Sequence, residues 1–224
     1  ERGKRLMKLT HARKYEKILR KTRGIFYKNP LLSLGLALPL AVIPSYNLIA
    51  TTAVSLSMLI CFVPAVLLAS LIGKRIASPW QVVVYPLVSC LLLIPTRILL
   101  VTLFPMIQDT LGIYLSLVCV NSLLMYATGK ASEQKPGQAL GFALRLWLGA
   151  SLVAFVCGAI RELCATGSLF GFTILSDAPR LPVAQMAMGG FILLAFFAAF
   201  CRTIHRLILT LAMKADTPKG GEEQ

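Results

Sequence analysis

The residues of this chain that could support redox or metal chemistry are six cysteines and two histidines. Thiolates are the usual ligands of iron–sulfur clusters and structural zinc, and two thiols can form a disulfide. No two cysteines are spaced as Cys-x-x-Cys, and His11 and His205 are far apart in sequence. The pattern predicts small buried side chains rather than a disulfide framework or a zinc site. The cysteines are Cys61, Cys90, Cys119, Cys157, Cys164 and Cys201.

A second group of candidates consists of polar residues in or beside apolar stretches, namely Arg161, Glu162 and Asn121. Arg161 and Glu162 are either a structural ion pair flanking an ion or electron path, or an interfacial helix end with a snorkelling arginine. Asn121 either joins two helices or lines an internal interface. The sequence has no nucleophile–base pair, carboxylate pair or phosphate-binding loop, so we predict no catalytic residue and no activity of the chain alone.

The composition is that of an integral membrane protein. Of the 224 residues, 57% are hydrophobic and 14% are charged, and the mean hydropathy is +0.75. Soluble domains are about 25% charged, so this chain has too few charges to cover a water-facing surface. A soluble nucleic-acid binder, a secreted disulfide scaffold and a disordered tail protein are excluded. The length suits about six spanning helices of about 20 residues each.

The apolar segments predict a membrane domain over residues 29–205, between a basic arm (1–28) and a polar tail (206–224). The first segment, 30–43, is short and contains Pro39. The fourth, 111–127, has Asn121 and Ser122 near its middle. Both are predicted to be short or broken helices. The other predicted spans are residues 48–72, 80–104, 139–159 and 184–204.

The net charge of +14 is concentrated on one side of the predicted bundle. If both termini are cytosolic, nineteen Lys and Arg residues lie on the inner side, and the outer loops contain only Arg180. This positive-inside bias predicts six crossings with both termini in the cytosol. The basic arm is expected to contact anionic lipid headgroups rather than nucleic acid.

The two halves of the chain have the same order of segments, since a short interrupted segment precedes two longer spans in each. Three spans is an odd number, so the second half would be inverted relative to the first. The predicted fold class is therefore an all-α integral membrane bundle of six helices in two inverted three-helix repeats. The broken first helices would meet near the midplane, with Ala37 and Pro39 close to Asn121 and Ser122.

Three stretches of the sequence resemble the Rnf/Nqr membrane-subunit family, in the branch that includes the Rnf E and Nqr D subunits. They are residues 29–42, residues 120–125, and residues 158–163 with 167–174, and their order and spacing agree over about residues 29–205. The resemblance implies a subunit of a bacterial or archaeal cytoplasmic membrane that pairs with a homologous subunit of opposite topology. It also implies that the pair holds one [2Fe–2S] cluster, in a complex that couples electron transfer to Na⁺ or H⁺ movement.

The sequence departs from the family pattern at the two cluster positions. The cysteine of the first helix falls at Ala37, and the cysteine of the fourth helix falls at Ser122. Alanine cannot bind iron, and serine is a hard oxygen donor that replaces a thiolate poorly. Cys119, one helical turn before Ser122, is the remaining candidate for a cluster ligand.

The resemblance predicts a membrane subunit of an Rnf/Nqr-like electron-transport complex, acting as a scaffold or as half of an ion path. The alternative is a transport protein of another class, such as the substrate-binding membrane subunit of a vitamin transporter, which is also small and basic on the inside. Such a subunit needs a solvent-open polar pocket. The family-like sequence over residues 158–163 favours the redox complex. So do the interrupted first segments of the two inverted halves.

Overall fold

A computed structural model describes residues 35–105, 108–174 and 181–216 of the chain. These residues form seven α-helices, two short 3₁₀ turns and one antiparallel two-stranded hairpin. The helices are α1 (Leu38–Val42), α2 (Leu48–Ile72), α3 (Ser78–Leu103), α4 (Gln108–Ser116), α5 (Ser122–Ala131), α6 (Pro136–Thr166) and α7 (Ala187–Asp216). The 3₁₀ turns are Gly73–Arg75 and Pro182–Gln185, and the strands are β1 (Ser168–Leu169) and β2 (Phe172–Thr173).

Four helices of the described part are long and apolar enough to cross a membrane. These stretches are Leu48–Ile72, Pro79–Leu103, Pro136–Thr166 and Ala187–Ile204. They overlap the four long spans that the sequence predicts, and α2 has the predicted bounds. A side-chain cap explains where α2 begins, because the Asn47 side chain accepts a hydrogen bond from the Ala50 N–H at 2.7 Å.

Two of these helices extend past their predicted ends. The sequence predicts that the fifth span ends at Ala159, but α6 continues to Thr166 and stops where Gly167 adopts a left-handed conformation with φ 67°. Arg161 and Glu162, which are predicted at the end of this span, therefore lie one turn inside the helix. The last helix, α7, runs on to Asp216, past the end of its apolar stretch. Helical hydrogen bonding continues at these ends although hydrophobicity, the signal used for the prediction, declines.

Both segments predicted to be short or broken contain short helices. In the first, α1 has only five residues, and residues 30–34 of the predicted segment lie outside the described part. The fourth predicted segment is divided into α4 and α5 by residues 117–121, which we call the α4–α5 break. The element order of a short helical region followed by two long helices thus occurs twice in the described chain.

Helix α2 lies at the centre of the bundle and packs against α3, α5 and α6. Its buried face contains many small side chains, which allow neighbouring backbones to approach closely. At Gly158 of α6, an added Cβ would lie 2.8 Å from the Thr51 hydroxyl of α2. By contrast, only 17% of the α3 span and 11% of the α7 span are buried, so these helices present their apolar faces outward. The small buried residues of α2 are Ala50, Ala53, Ser57, Cys61, Ala65 and Ala69.

Candidate functional site

The starts of the two short helices α1 and α5 lie next to each other. The backbone N–H of Ala37, which caps α1, donates a hydrogen bond of 2.9 Å to the side-chain oxygen of Ser122, the first residue of α5. Eighty-five residues of sequence separate these two residues. The contact joins the two positions at which the family resemblance places cluster cysteines. The prediction that the two interruptions lie close together is confirmed.

The side-chain amide of Asn121 stabilises the α4–α5 break. Its Nδ2 donates to the carbonyl oxygen of Val118 at 2.7 Å, and its Oδ1 accepts from the N–H of Leu124 at 2.7 Å. The first bond satisfies a carbonyl that the break leaves without a helical partner, and the second caps the start of α5. These two side-chain bonds stay within the segment of Asn121 itself, so they correspond to neither of the two predicted roles, joining two helices or lining an internal interface.

Ala37 itself has an uncommon backbone conformation. Its φ of 57° and ψ of 28° lie in the left-handed region, which costs a non-glycine residue free energy. Its side chain is buried, and its carbonyl oxygen accepts from the Ala41 N–H at 3.0 Å to begin α1. The bond to Ser122 therefore fixes a backbone turn that would otherwise be disfavoured.

Arg161 binds carbonyl oxygens at the ends of two other elements. Its guanidinium donates to the Val42 oxygen, at the last residue of α1, and to the Ser45 hydroxyl at 3.4 Å. It also donates to the Ala184 oxygen at 2.9 Å and the Gln185 oxygen at 2.8 Å, at the end of the second 3₁₀ turn. The side chain is 1% exposed. A buried cation thus satisfies carbonyls that helix ends leave unpaired, where the helix dipole also favours positive charge.

Glu162 accepts hydrogen bonds from backbone N–H groups, whereas Arg161 donates to backbone carbonyl oxygens. One carboxylate oxygen accepts from the Leu48 N–H at 2.7 Å, at the first residue of α2. The other accepts from the Gly171 N–H at 3.1 Å and the Ser168 hydroxyl at 3.5 Å, both in the β hairpin. The side chain is 4% exposed. Negative charge at a helix N-terminus is stabilising, and charge-assisted bonds are about twice as strong as neutral ones.

Arg161 and Glu162, which we call the capping pair, hold both ends of the linker between α1 and α2. Arg161 binds the end of α1 and Glu162 binds the start of α2. Sequence reasoning identifies both residues but not their partners, Val42 and Leu48. The partners are main-chain groups brought close by folding, so no residue type in the sequence marks them. The geometry shows two caps that together fix the position of α1.

A small pocket with a cavity volume of about 20 Å³ lies between α1, α2 and α6, and Ala37 is one of its lining residues. It is lined largely by small and apolar side chains, with four hydroxyl residues among them. Of these, Ser151 is 7% exposed, and its hydroxyl has no hydrogen-bond partner within the described part of the chain. The hydroxyl residues are Ser45, Thr51, Ser55 and Ser151. A pocket of this size has room for about one water molecule.

The residues at the Ala37–Ser122 contact do not fit a [2Fe–2S] cluster. Ala37 offers no ligand, and the Ser122 oxygen already accepts the Ala37 N–H. The Cys119 thiol is directed elsewhere, donating to the Ser89 carbonyl of α3 at 3.3 Å. The described residues contain no group of three or more His, Cys, Asp or Glu side chains arranged to hold a metal ion.

We therefore expect Cys119→Ser to leave the metal content of the assembled complex unchanged, because Cys119 faces α3 rather than Ser122. The measurement is iron, acid-labile sulfide and the reduced-state electron paramagnetic resonance spectrum of the purified complex, with and without the substitution. A stoichiometric [2Fe–2S] signal that disappears in Cys119→Ser would show that this chain does provide a ligand.

Comparison with known proteins gives a consistent result over most of the chain. The family model described as "Rnf-Nqr subunit, membrane protein" matches residues 18–198. A similar protein is the E subunit of the proton-translocating ferredoxin:NAD(+) oxidoreductase complex of Clostridium ljungdahlii, 27% identical over 210 residues, which cover 89% of this chain and 95% of that protein. Another is the E subunit of the Na(+)-translocating ferredoxin:NAD(+) oxidoreductase complex of Acetobacterium woodii, 29% identical over 171 residues, which cover 75% of this chain and 85% of that protein.

Proposed function

Because the chain belongs to the Rnf-Nqr family of membrane subunits, we propose that it is the E subunit of an ion-translocating ferredoxin:NAD⁺ oxidoreductase complex. The observation that carries this proposal is the length of the match. The family model covers most of the chain, and the relative from Clostridium ljungdahlii is matched over nearly its whole length. The match favours the redox complex over the vitamin-transporter alternative. The two relatives are named for different ions, H⁺ and Na⁺, and either could be the coupling ion here.

Within that complex, we assign this chain a scaffold role. Arg161 and Glu162 form hydrogen bonds to main-chain groups, and these bonds hold α1, α2 and the hairpin in place. Asn121 is likewise bonded within the α4–α5 break. These hydrogen bonds are to main-chain groups, and they support a structural role rather than an ion-path role for the three residues. The redox carriers of the complex would then be held largely by other subunits.

We further propose that the described halves are inverted repeats and that the Ala37–Ser122 contact lies near the bilayer midplane. The repeated element order and the meeting of the two short helices support this arrangement. The partner would be a homologous membrane subunit of opposite topology. The outward apolar faces of α3 and α7 provide surface for it and for lipid. The basic arm, which lies outside the described residues, would rest on anionic headgroups.

The topology is testable with reporter fusions. We expect six crossings with residues 1–28 and the tail both in the cytosol, because nineteen Lys and Arg residues then lie inside. An alkaline phosphatase fusion at Asp177 should be active, and a fusion at Thr217 should be inactive. A green fluorescent protein fusion at Thr217, which fluoresces in the cytosol, serves as the complementary control. An outward Thr217 would contradict the assignment.

Affinity purification tests whether the chain is part of the proposed complex. A tag at the carboxyl terminus, followed by mild detergent extraction and mass spectrometry, should recover a homologous membrane subunit together with flavin- or iron–sulfur-containing subunits. The optical spectrum of the preparation should show these chromophores. Recovery of the chain alone, or with an ATP-hydrolysing transporter module, would refute the proposal.

A further inference from the structure

A hydroxyl group without a partner lies at the small pocket between α1, α2 and α6, which we call the hydroxyl pocket. Ser151 of α6 lines this pocket, and its buried side-chain oxygen has no hydrogen-bond partner among the described residues. An unpaired buried hydroxyl costs free energy, so most such groups in proteins are bonded to protein atoms or to ordered water. The pocket is the space beside Ser151 from which a partner can come.

The size and enclosure of the hydroxyl pocket suit a single water molecule. Its cavity volume is about 20 Å³, and a bound water needs at least about 10–15 Å³. Every lining residue is buried except Ala154, which is partly exposed. A space this small and this enclosed is closed to organic ligands.

The hydroxyl groups around the pocket offer a water molecule both a donor and an acceptor. The Ser151 hydroxyl has a proton that no described residue accepts. The Thr51 hydroxyl of α2 donates its own proton to the Asn47 carbonyl oxygen at 2.7 Å, and its oxygen keeps a lone pair that can accept. Ser55 adds a third hydroxyl group to the lining. Buried waters typically form about three hydrogen bonds, which is the number of partners these groups provide.

The charge beside the pocket favours a neutral occupant over a cation. Arg161 donates to the hydroxyl of Ser45, another lining residue, at 3.4 Å. Two positive charges repel each other strongly in a buried site of low dielectric constant. The described residues that line the pocket include no carboxylate, and the Glu162 carboxylate is bonded to the Leu48 and Gly171 N–H groups.

We propose that the hydroxyl pocket binds one ordered water molecule, which accepts a hydrogen bond from Ser151 of α6 and donates one to Thr51 of α2. The water joins these two helices, which also pack closely at Gly158. Because Ala37 lines the same pocket, the water hydrates one of the two positions where the family resemblance places a cluster cysteine. This inference rests on the pocket and its hydroxyl groups and does not depend on the proposed function.

X-ray footprinting of the intact complex tests for this water directly. A short X-ray pulse converts bound water to hydroxyl radicals in place, and these oxidise a neighbouring methionine to its sulfoxide, which mass spectrometry locates. Met58 lines the pocket and is only 4% exposed, so bulk solvent hardly reaches it. Cys61 is the matched control, because it is on the same helix, is 0% exposed and does not line the pocket. We expect oxidation of Met58 and not of Cys61, with the same result in Na⁺ and in K⁺ buffers.

Two variants link this oxidation to Ser151. Ser151→Val fills the pocket and removes the hydroxyl, so we expect severalfold slower oxidation of Met58. Ser151→Ala should lower the temperature at which the detergent-extracted complex aggregates, because a hydroxyl that is bonded to water is lost. Removal of an unpaired hydroxyl would instead leave that temperature unchanged or raise it.

The footprint of the wild-type complex keeps the proposal falsifiable if a variant fails to accumulate. Unmodified Met58, equal oxidation of Met58 and Cys61, or oxidation that requires Na⁺ would each overturn the proposal. So would unchanged Met58 oxidation in Ser151→Val, or an aggregation temperature of Ser151→Ala that is not below that of the wild type.

Discussion

Replacing Arg161 with leucine is expected to prevent the chain from accumulating as a folded subunit. The substitution removes the guanidinium that binds carbonyl oxygens of α1 and of the second 3₁₀ turn. The Ala184 and Gln185 oxygens lose this donor, and the Val42 oxygen keeps only the Ser45 hydroxyl at 3.1 Å. Each buried polar group left unsatisfied costs about 1–3 kcal/mol. Several such groups together approach the total stability of a typical domain, about 5–15 kcal/mol.

Arg145→Leu is the matched control, because Arg145 is on the same helix and is exposed. The measurement is the amount of a fluorescent fusion in membranes and the temperature at which the detergent-extracted fusion aggregates. We expect a severe loss for Arg161→Leu and nearly wild-type behaviour for Arg145→Leu. Arg161→Lys should fall between them, since one ammonium cannot match the planar fork of donors. Equal stability of Arg161→Leu and Arg145→Leu would contradict the capping role.

Replacing Glu162 with glutamine is expected to weaken the connection between α6, the start of α2 and the hairpin. The carboxylate accepts from N–H groups on both of its sides, at Leu48 and at Gly171. A glutamine amide has only one acceptor oxygen, so its NH₂ group would face a backbone N–H. Hydrogen bonds to charged groups contribute about 1.5–3 kcal/mol, and we expect a loss of that order.

The control for this prediction is Glu133→Gln, because Glu133 is exposed in the turn between α5 and α6. Thermal aggregation of the extracted fusion should shift clearly downward for Glu162→Gln and hardly at all for Glu133→Gln. Limited proteolysis gives a second readout, since cleavage within residues 168–174 should become faster only in Glu162→Gln. Unchanged proteolysis and unchanged aggregation in Glu162→Gln would argue against a cap at this position.

The long helices can be predicted from the sequence because their signal is local. Twenty or more uncharged apolar residues have few alternatives to a spanning helix, and α2 has the predicted bounds. The predicted end of α6 is too early because hydrophobicity falls at Arg161, whereas the helix ends at the left-handed Gly167. A glycine that follows a polar helical turn is a C-cap signal in the sequence, and Gly167 therefore marks the end of α6 better than the loss of hydrophobicity does.

The candidate site is predictable in location but not in its contacts. The interruptions at Pro39 and Asn121, taken with the repeated order of spans, indicate that Ala37 and Ser122 are close together, and they share a hydrogen bond. The bonds of the capping pair cannot be predicted, because their partners are backbone groups that every residue has.

A required membrane subunit of an ion-translocating ferredoxin:NAD⁺ oxidoreductase must be present for both electron transfer and ion uptake. The most direct measurement uses inverted membrane vesicles from a strain lacking the gene, with and without the wild-type chain supplied from a plasmid. Reduced ferredoxin and NAD⁺ are added, and NADH formation is followed together with uptake of H⁺ and of Na⁺. We expect ferredoxin-dependent NADH formation and the uptake of one ion to be lost without the chain and restored with it. Undiminished NADH formation and ion uptake in vesicles that lack the chain would contradict it.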